Sequence, residues 1–147
     1  MRRIVPILLL LVAAAAAADQ KTLDQLKAEA DHASGGHQAK LCADVASRLV
    51  EVANQQFNDG KSREGQATVQ EVLSYATKAR DVAIEHHAKM KEIEIELRET
   101  QRRLNSVKRT LAVEDRVPVD GVEKKLEQFR QDLLDAMFAP KHKEKNP

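Results

Sequence analysis

Aromatic residues and cysteine are almost absent from this chain, which has one tyrosine, three phenylalanines, no tryptophan and one cysteine. Sheet proteins draw on aromatic and β-branched residues, so this composition disfavours a β fold. A single cysteine excludes an internal disulfide. Cys42 lies among apolar residues of a helical pattern and is interpreted as a small buried hydrophobe, or else as a thiol for intermolecular pairing.

The residues that are abundant are those of helical bundles. Alanine, leucine, glutamate, lysine, arginine and glutamine dominate, and charged residues make up 32% of the chain. These residues have high helix propensity, so we predict an all-α fold. The formal net charge is only +1, which gives no indication of nucleic-acid binding.

The first residues have the three parts of a secretory signal peptide. A basic start with Arg2 and Arg3 is followed by an apolar stretch from residue 4 and an alanine run that ends at Ala18. We predict a signal peptide over residues 1–18, cleaved before Asp19, and a periplasmic or secreted protein. An uncleaved membrane anchor is the alternative, although about 15 apolar residues are short against the roughly 20 that span a bilayer.

Capping and breaking residues divide the remainder into one helical domain, residues 19–138. Thr22 with Gln25 forms a capping box, Gly60 ends a helix, and Pro118 predicts a break before a second capping box. The predicted helices cover about residues 22–34, 38–59, 62–115 and 120–138. Residues 139–147 form a basic, polar tail that we expect to be disordered.

A seam of apolar residues runs through the third predicted helix at alternating steps of three and four. Such steps average 3.5 residues, the coiled-coil period, and no glycine or proline interrupts them. We therefore predict one continuous helix of about 50 residues and 75 Å, at the centre of an elongated antiparallel helical hairpin or bundle. The last helix should dock antiparallel on its second half, with Phe129 and Leu133 against Leu97, Leu104 or Val107. The seam consists of Val69, Val72, Ala76, Ala79, Ala83, His86, Met90, Ile93, Leu97, Thr100, Leu104, Val107 and Leu111.

One segment of the chain resembles a single tetratricopeptide repeat. The residues that match its packing positions are Leu49, Val52, Ala53, Gly60, Val69 and Val72, and the turn after Gly60 is similar to the turn between its two helices. The resemblance implies a helical hairpin whose role is protein–protein contact. As a whole, the chain resembles small exported bacterial helical proteins.

His86, His87 and Met90 are the candidate metal ligands. His86 and Met90 are four residues apart and would share a helical face, and imidazole with thioether suits copper. The competing interpretation is that His86 is a polar seam residue that sets register or partner number. A metal-binding or stress-responsive envelope protein is thus the alternative function.

The outer face of the long predicted helix suggests a contact surface. Ile84, Ala88 and Ile95 lie away from the seam, and exposed aliphatic residues on a long helix can mark a second interface. We expect a homodimer, or binding to another envelope protein. A basic stretch nearby indicates either contact with an anionic envelope component or a solvated, salt-bridged face; it consists of Arg98, Arg102, Arg103, Lys108 and Arg109.

No arrangement of residues indicates catalysis. The sequence has no nucleophile turn, phosphate-binding loop or zinc helix motif. We therefore expect no enzyme activity and no cofactor. The sequence predicts an exported helical interaction or structural protein of the cell envelope.

Overall fold

A computed structural model describes residues 21–140, and the predictions for the signal peptide (1–18) and for tail residues 141–147 lie outside this range. Five α-helices make up the described chain, so the all-α prediction is confirmed. In chain order they are α1 (Leu23–His32), α2 (Gly35–Asn58), α3 (Ser62–Glu85), α4 (Met90–Thr110) and α5 (Val113–Phe138).

The first helix starts at the predicted capping box. The Gln25 amide donates to the Thr22 hydroxyl at 3.2 Å, and the Thr22 amide donates to the Gln25 side chain at 3.0 Å. This reciprocal pair satisfies two of the free amides at the helix start. Leu26 and Ala30 are buried against α2, so α1 covers one side of the main bundle.

Helices α2 and α3 form a hairpin and share the largest interface of the fold. Gly60, with φ 75°, provides the left-handed backbone of the turn between them. Alanines are buried on both helices, and small side chains allow helix axes to approach closely. The buried alanines are Ala39, Ala43, Ala46, Ala53, Ala76, Ala79 and Ala83.

The predicted continuous helix over residues 62–115 is wrong, because the chain turns between Glu85 and Met90. The Ala88 amide donates to the Ala83 carbonyl at 3.0 Å, and the His87 amide donates to the Ile84 carbonyl at 3.2 Å. These are the two bonds of a Schellman helix end. Glycine usually occupies the left-handed position of this motif, but here His87 does so with φ 47°. Because no glycine marks the position, the turn was not predicted from the sequence.

The start of the last helix also differs from the prediction. It begins at Val113, well before residue 120, and Pro118 lies inside it. Proline removes one helical hydrogen bond, but the first turn is held by tertiary contacts. The Ser62 hydroxyl and the Gln66 amide of α3 donate to the Asp115 carboxylate at 2.8 and 2.7 Å.

Helix α5 packs antiparallel on α4, as predicted. Lys108, late in α4, pairs with Asp120, early in α5, at 3.1 Å. Glu94, early in α4, pairs with Arg130, late in α5, at 3.0 Å. The five residues predicted at this interface are all buried in the common core; they are Leu97, Leu104, Val107, Phe129 and Leu133.

The two hairpins pack side by side as a four-helix bundle. Gly36, near the start of α2, lies against Ala88 just before α4, and farther along both helices Arg103 donates to Ser47 at 3.3 Å. Helices α2 and α4 are therefore parallel neighbours, and the same holds for α3 and α5, which meet through Asp115 at their starts and through Asp132 near their ends. Helices α3 and α4 lie diagonally and make few contacts, and the other diagonal pair, α2 and α5, makes none. The bundle is consequently about half as long as the predicted helix of 75 Å.

Candidate interaction surface

The three candidate metal ligands lie at the turn between α3 and α4. His86 and His87 are exposed, whereas Met90 begins α4 and packs partly against the core. The turn removes the helical face that His86 and Met90 were predicted to share. Among residues 21–140, no group of three or more histidine, cysteine, aspartate or glutamate side chains could hold a metal ion.

The residues predicted as a contact stripe are separated by the same turn. Ile84 lies in the last turn of α3 and packs partly against the core, and Ala88 is half-buried beside Gly36. Ile95 lies on α4 and is 49% exposed. Of the three, Ile95 alone keeps the exposed aliphatic surface that a contact would use.

A network of buried charges joins α4 to α5. Glu94 is only 3% exposed and accepts hydrogen bonds from Arg98 of its own helix and from Arg130 of α5. Arg130 also donates to the side-chain oxygen of Gln101 at 3.0 Å. Burial alone would raise the pKa of Glu94, but the two arginines outweigh it and hold the pKa below its ordinary value. A buried carboxylate needs a partner, and Arg130 provides one from the opposite helix in the observed register of the hairpin.

A second buried carboxylate lies farther along the same interface. Glu123 of α5 is 6% exposed and pairs with Lys108 of α4. The Glu123 hydrogen bond, reinforced by Asp120, raises the pKa of the Lys108 ammonium. Lys108 therefore holds α4 and α5 together through an ion pair and is not a free surface cation.

The other basic residues lie along α4 and are partly neutralised. Arg102 pairs with Glu99 at 3.4 Å, and Arg103 pairs with Glu51 of α2 at the same distance. Arg109, with Arg102, borders an open groove of about 360 Å³ whose lining is mostly polar. Most of the basic face of α4 is thus solvated and paired in salt bridges.

One pair of exposed apolar residues was not predicted from the sequence. Apart from the C-terminal end of the described chain, its two side chains are the most exposed of the large apolar residues. Val113 and Val117 are 69% and 72% exposed and lie one helical turn apart at the start of α5. With Lys108, Arg116 and Asp120 they border a mainly apolar depression of about 340 Å³. The signal for this helix start was present in the acidic residues at 114 and 115, which favour a helix N-terminus. The proline at 118 masked it.

None of the helices in residues 21–140 has the length and hydropathy needed to cross a membrane. Comparison with known proteins gives no family model, curated protein or solved structure that matches this chain. The resemblance of the α2–α3 hairpin to a tetratricopeptide repeat therefore stays a prediction.

Proposed function

We propose that this protein is exported and acts, without catalysis, by binding another protein of the cell envelope. The observation that carries the proposal is the exposed pair Val113 and Val117. Two large aliphatic side chains one turn apart on a helix form the centre of a small apolar contact area. The signal-peptide pattern of residues 1–18 supports the location.

The chemistry around the valines indicates the kind of partner. Arg116 borders the apolar depression, and arginine is enriched at protein interfaces because it packs and donates at the same time. We expect a partner surface with an apolar centre and a carboxylate-bearing edge.

Site-specific photo-crosslinking in the producing cell tests this surface. A photoreactive residue at position 117 should give a discrete adduct in the envelope fraction. The matched control is position 125, which is exposed on the same helix but carries lysine. An adduct at 117 that is absent at 125 supports the proposal, and it should disappear when Val113→Glu is added. Equal labelling at both positions, or none at either, would contradict it.

Export is tested separately by the mass of the purified protein. Cleavage before Asp19 should remove the first 18 residues, and the product should be recovered from the periplasm or the medium. A cytosolic chain that keeps residues 1–18 would refute the location and leave the crosslinking result to be judged independently.

A homodimer is the alternative to binding another envelope protein, and we propose that Ile95 lies at its interface. Sedimentation at micromolar concentration should then show a dimer, and Ile95→Glu should dissociate it. A wild-type monomer would reject the dimer through Ile95 while leaving the crosslinking test unaffected.

Metal binding by His86, His87 and Met90 is the alternative function. Titration with copper should show an affinity that is lost in the variant carrying His86→Ala and His87→Ala. Equal affinity in both chains would reject these ligands.

A further inference from the structure

The turn between α3 and α4 is made of residues poorly suited to it. It consists of four residues, 86–89, none of which is glycine. His87 and Lys89 both have positive φ, 47° and 57°. A left-handed backbone is unfavourable for residues with a Cβ, so two of the four residues are strained.

The same residues would continue a helix without strain. The buried seam positions Ala79 and Ala83 of α3 lead through His86 to Met90 and Ile93 of α4 in steps of four, three, four and three. Straightening the turn therefore keeps the buried faces of both helices on one stripe. No glycine or proline lies between Gly65 and Pro118 to oppose it.

Opening the turn would separate two hairpins that are each internally complete. The α2–α3 and α4–α5 interfaces lie within a hairpin and would be unaffected. The contacts between hairpins, such as Arg80 with Asp132 at 2.7 Å, could be restored by a second copy. The diagonal pair α3 and α4, joined by the turn, contributes few contacts of its own.

We propose that two copies of this chain exchange hairpins. Residues 62–110 form one continuous helix in each copy, the two long helices run antiparallel, and each α2–α3 hairpin packs on the α4–α5 hairpin of the other copy. Short strained hinges are known to favour this exchange, because the dimer regains every contact and loses the strain. The proposal rests on the hinge and the fold, and is independent of export and of the envelope partner.

Refolding at different concentrations tests the exchange. The full chain, diluted from denaturant at low and high concentration, should give a dimer fraction that rises with concentration in sedimentation velocity. His87→Gly relieves strain in the closed turn and should lower the association constant by at least about tenfold. His86→Gly is the matched control, since His86 has φ −93° and gains nothing in the closed turn. It should give a clearly smaller decrease.

Crosslinking between chains distinguishes exchange from side-by-side association. One chain carries Arg80→Cys, the other Asp132→Cys, and Cys42 is replaced by alanine in both. After refolding together, a short bifunctional maleimide should join the two chains, because exchange places position 80 of one chain against position 132 of the other. In the closed monomer the two positions meet within one chain, where only one of them is a cysteine. Replacing Asp132→Cys by Lys125→Cys should abolish the product.

Each outcome decides the proposal. A dimer crosslinked through positions 80 and 132, and weakened more by His87→Gly than by His86→Gly, supports it. A dimer without this crosslink is a different assembly and overturns it. A wild-type chain could stay monomeric only because its closed hinge is too stable. His87→Val destabilises the closed hinge by placing a β-branched residue at the left-handed position. If even this chain stays monomeric at every refolding concentration, the exchange is refuted.

Discussion

Substitution of Gly65 by alanine should destabilise the protein, although alanine is the better helix former. Gly65 lies in the first turns of α3, and a Cβ placed there would come within 2.7–2.8 Å of three ring carbons of Phe57. Carbon atoms pack optimally at about 3.5–4.0 Å, so the ring must move by close to 1 Å. Overpacking of this kind costs about 1–3 kcal/mol, and the helix propensity of alanine returns about 0.5–1 kcal/mol. The expected net loss is roughly 0–2.5 kcal/mol, with a central value of about 1 kcal/mol.

Gly121→Ala is the matched control for this prediction. Gly121 also lies inside a helix, but a Cβ there meets no atom within 4 Å. The substitution should therefore stabilise the protein by about 0.5–1 kcal/mol. Urea unfolding followed by circular dichroism measures the free energy of unfolding of both variants. The slope of this free energy against urea concentration should be the same for both if neither substitution changes the unfolded state.

A double substitution shows whether the Phe57 ring is the cause. In Phe57→Leu, the smaller side chain should leave room for a methyl group at position 65, so adding Gly65→Ala should cost less than in the parent chain. The reasoning is refuted if Gly65→Ala stabilises the parent protein as much as Gly121→Ala does.

Three further predictions concern the core and its charges. Leu104→Ala should cost about 2–4 kcal/mol of unfolding free energy because Leu104 is fully buried; Leu134→Ala, at a half-exposed position, should cost clearly less, and equal losses would contradict the packing. The lowered pKa of Glu94 means that its pairs stabilise the fold above about pH 4.5 and that this contribution is lost as pH falls through the folded-state pKa. The melting temperature, measured from pH 2 to 7, should then change less with pH in Glu94→Gln than in Glu99→Gln. Parallel curves for the two variants would reject this role for Glu94. Burial raises the pKa of the Cys42 thiol, so a thiol reagent should label it far more slowly in the native protein than in urea; similar rates would show that the thiol is accessible.

The seam was predictable from sequence because burial follows helical periodicity closely. Eleven of its thirteen positions are buried, and the two that are not, His86 and Met90, are the first residue of the turn and the residue that follows it. The turn itself was not predictable from local propensity. His87 adopts a conformation typical of glycine, and the energy that holds it there comes from packing between hairpins that are distant in sequence.

The charged network and the exposed valines were missed for different physical reasons. Glu94 lies beside the seam, and its burial depends on α5 covering a wider arc of α4 than a coiled-coil partner would. Val113 was assigned to the end of the long predicted helix and Val117 to the connection after it, because Pro118 suggested a helix break. Ser62 and Gln66 of α3 donate to Asp115 in the first turn of α5, and contacts of this kind between distant segments cannot be read from the sequence of α5 alone.

The pairing of consecutive helices has a consequence for the order of folding. The connection at Gly60 and the one at residues 111–112 each bring neighbouring segments together, so both hairpins are built from contacts that are local in sequence. Local contacts form fastest because little loop entropy is lost before they are made. The slow step should be the docking of two preformed hairpins, and substitutions at their mutual interface should change the folding rate more than substitutions inside either hairpin turn. During synthesis the α2–α3 hairpin would emerge complete before α4 exists, and it must stay soluble with one apolar face uncovered until its companion arrives.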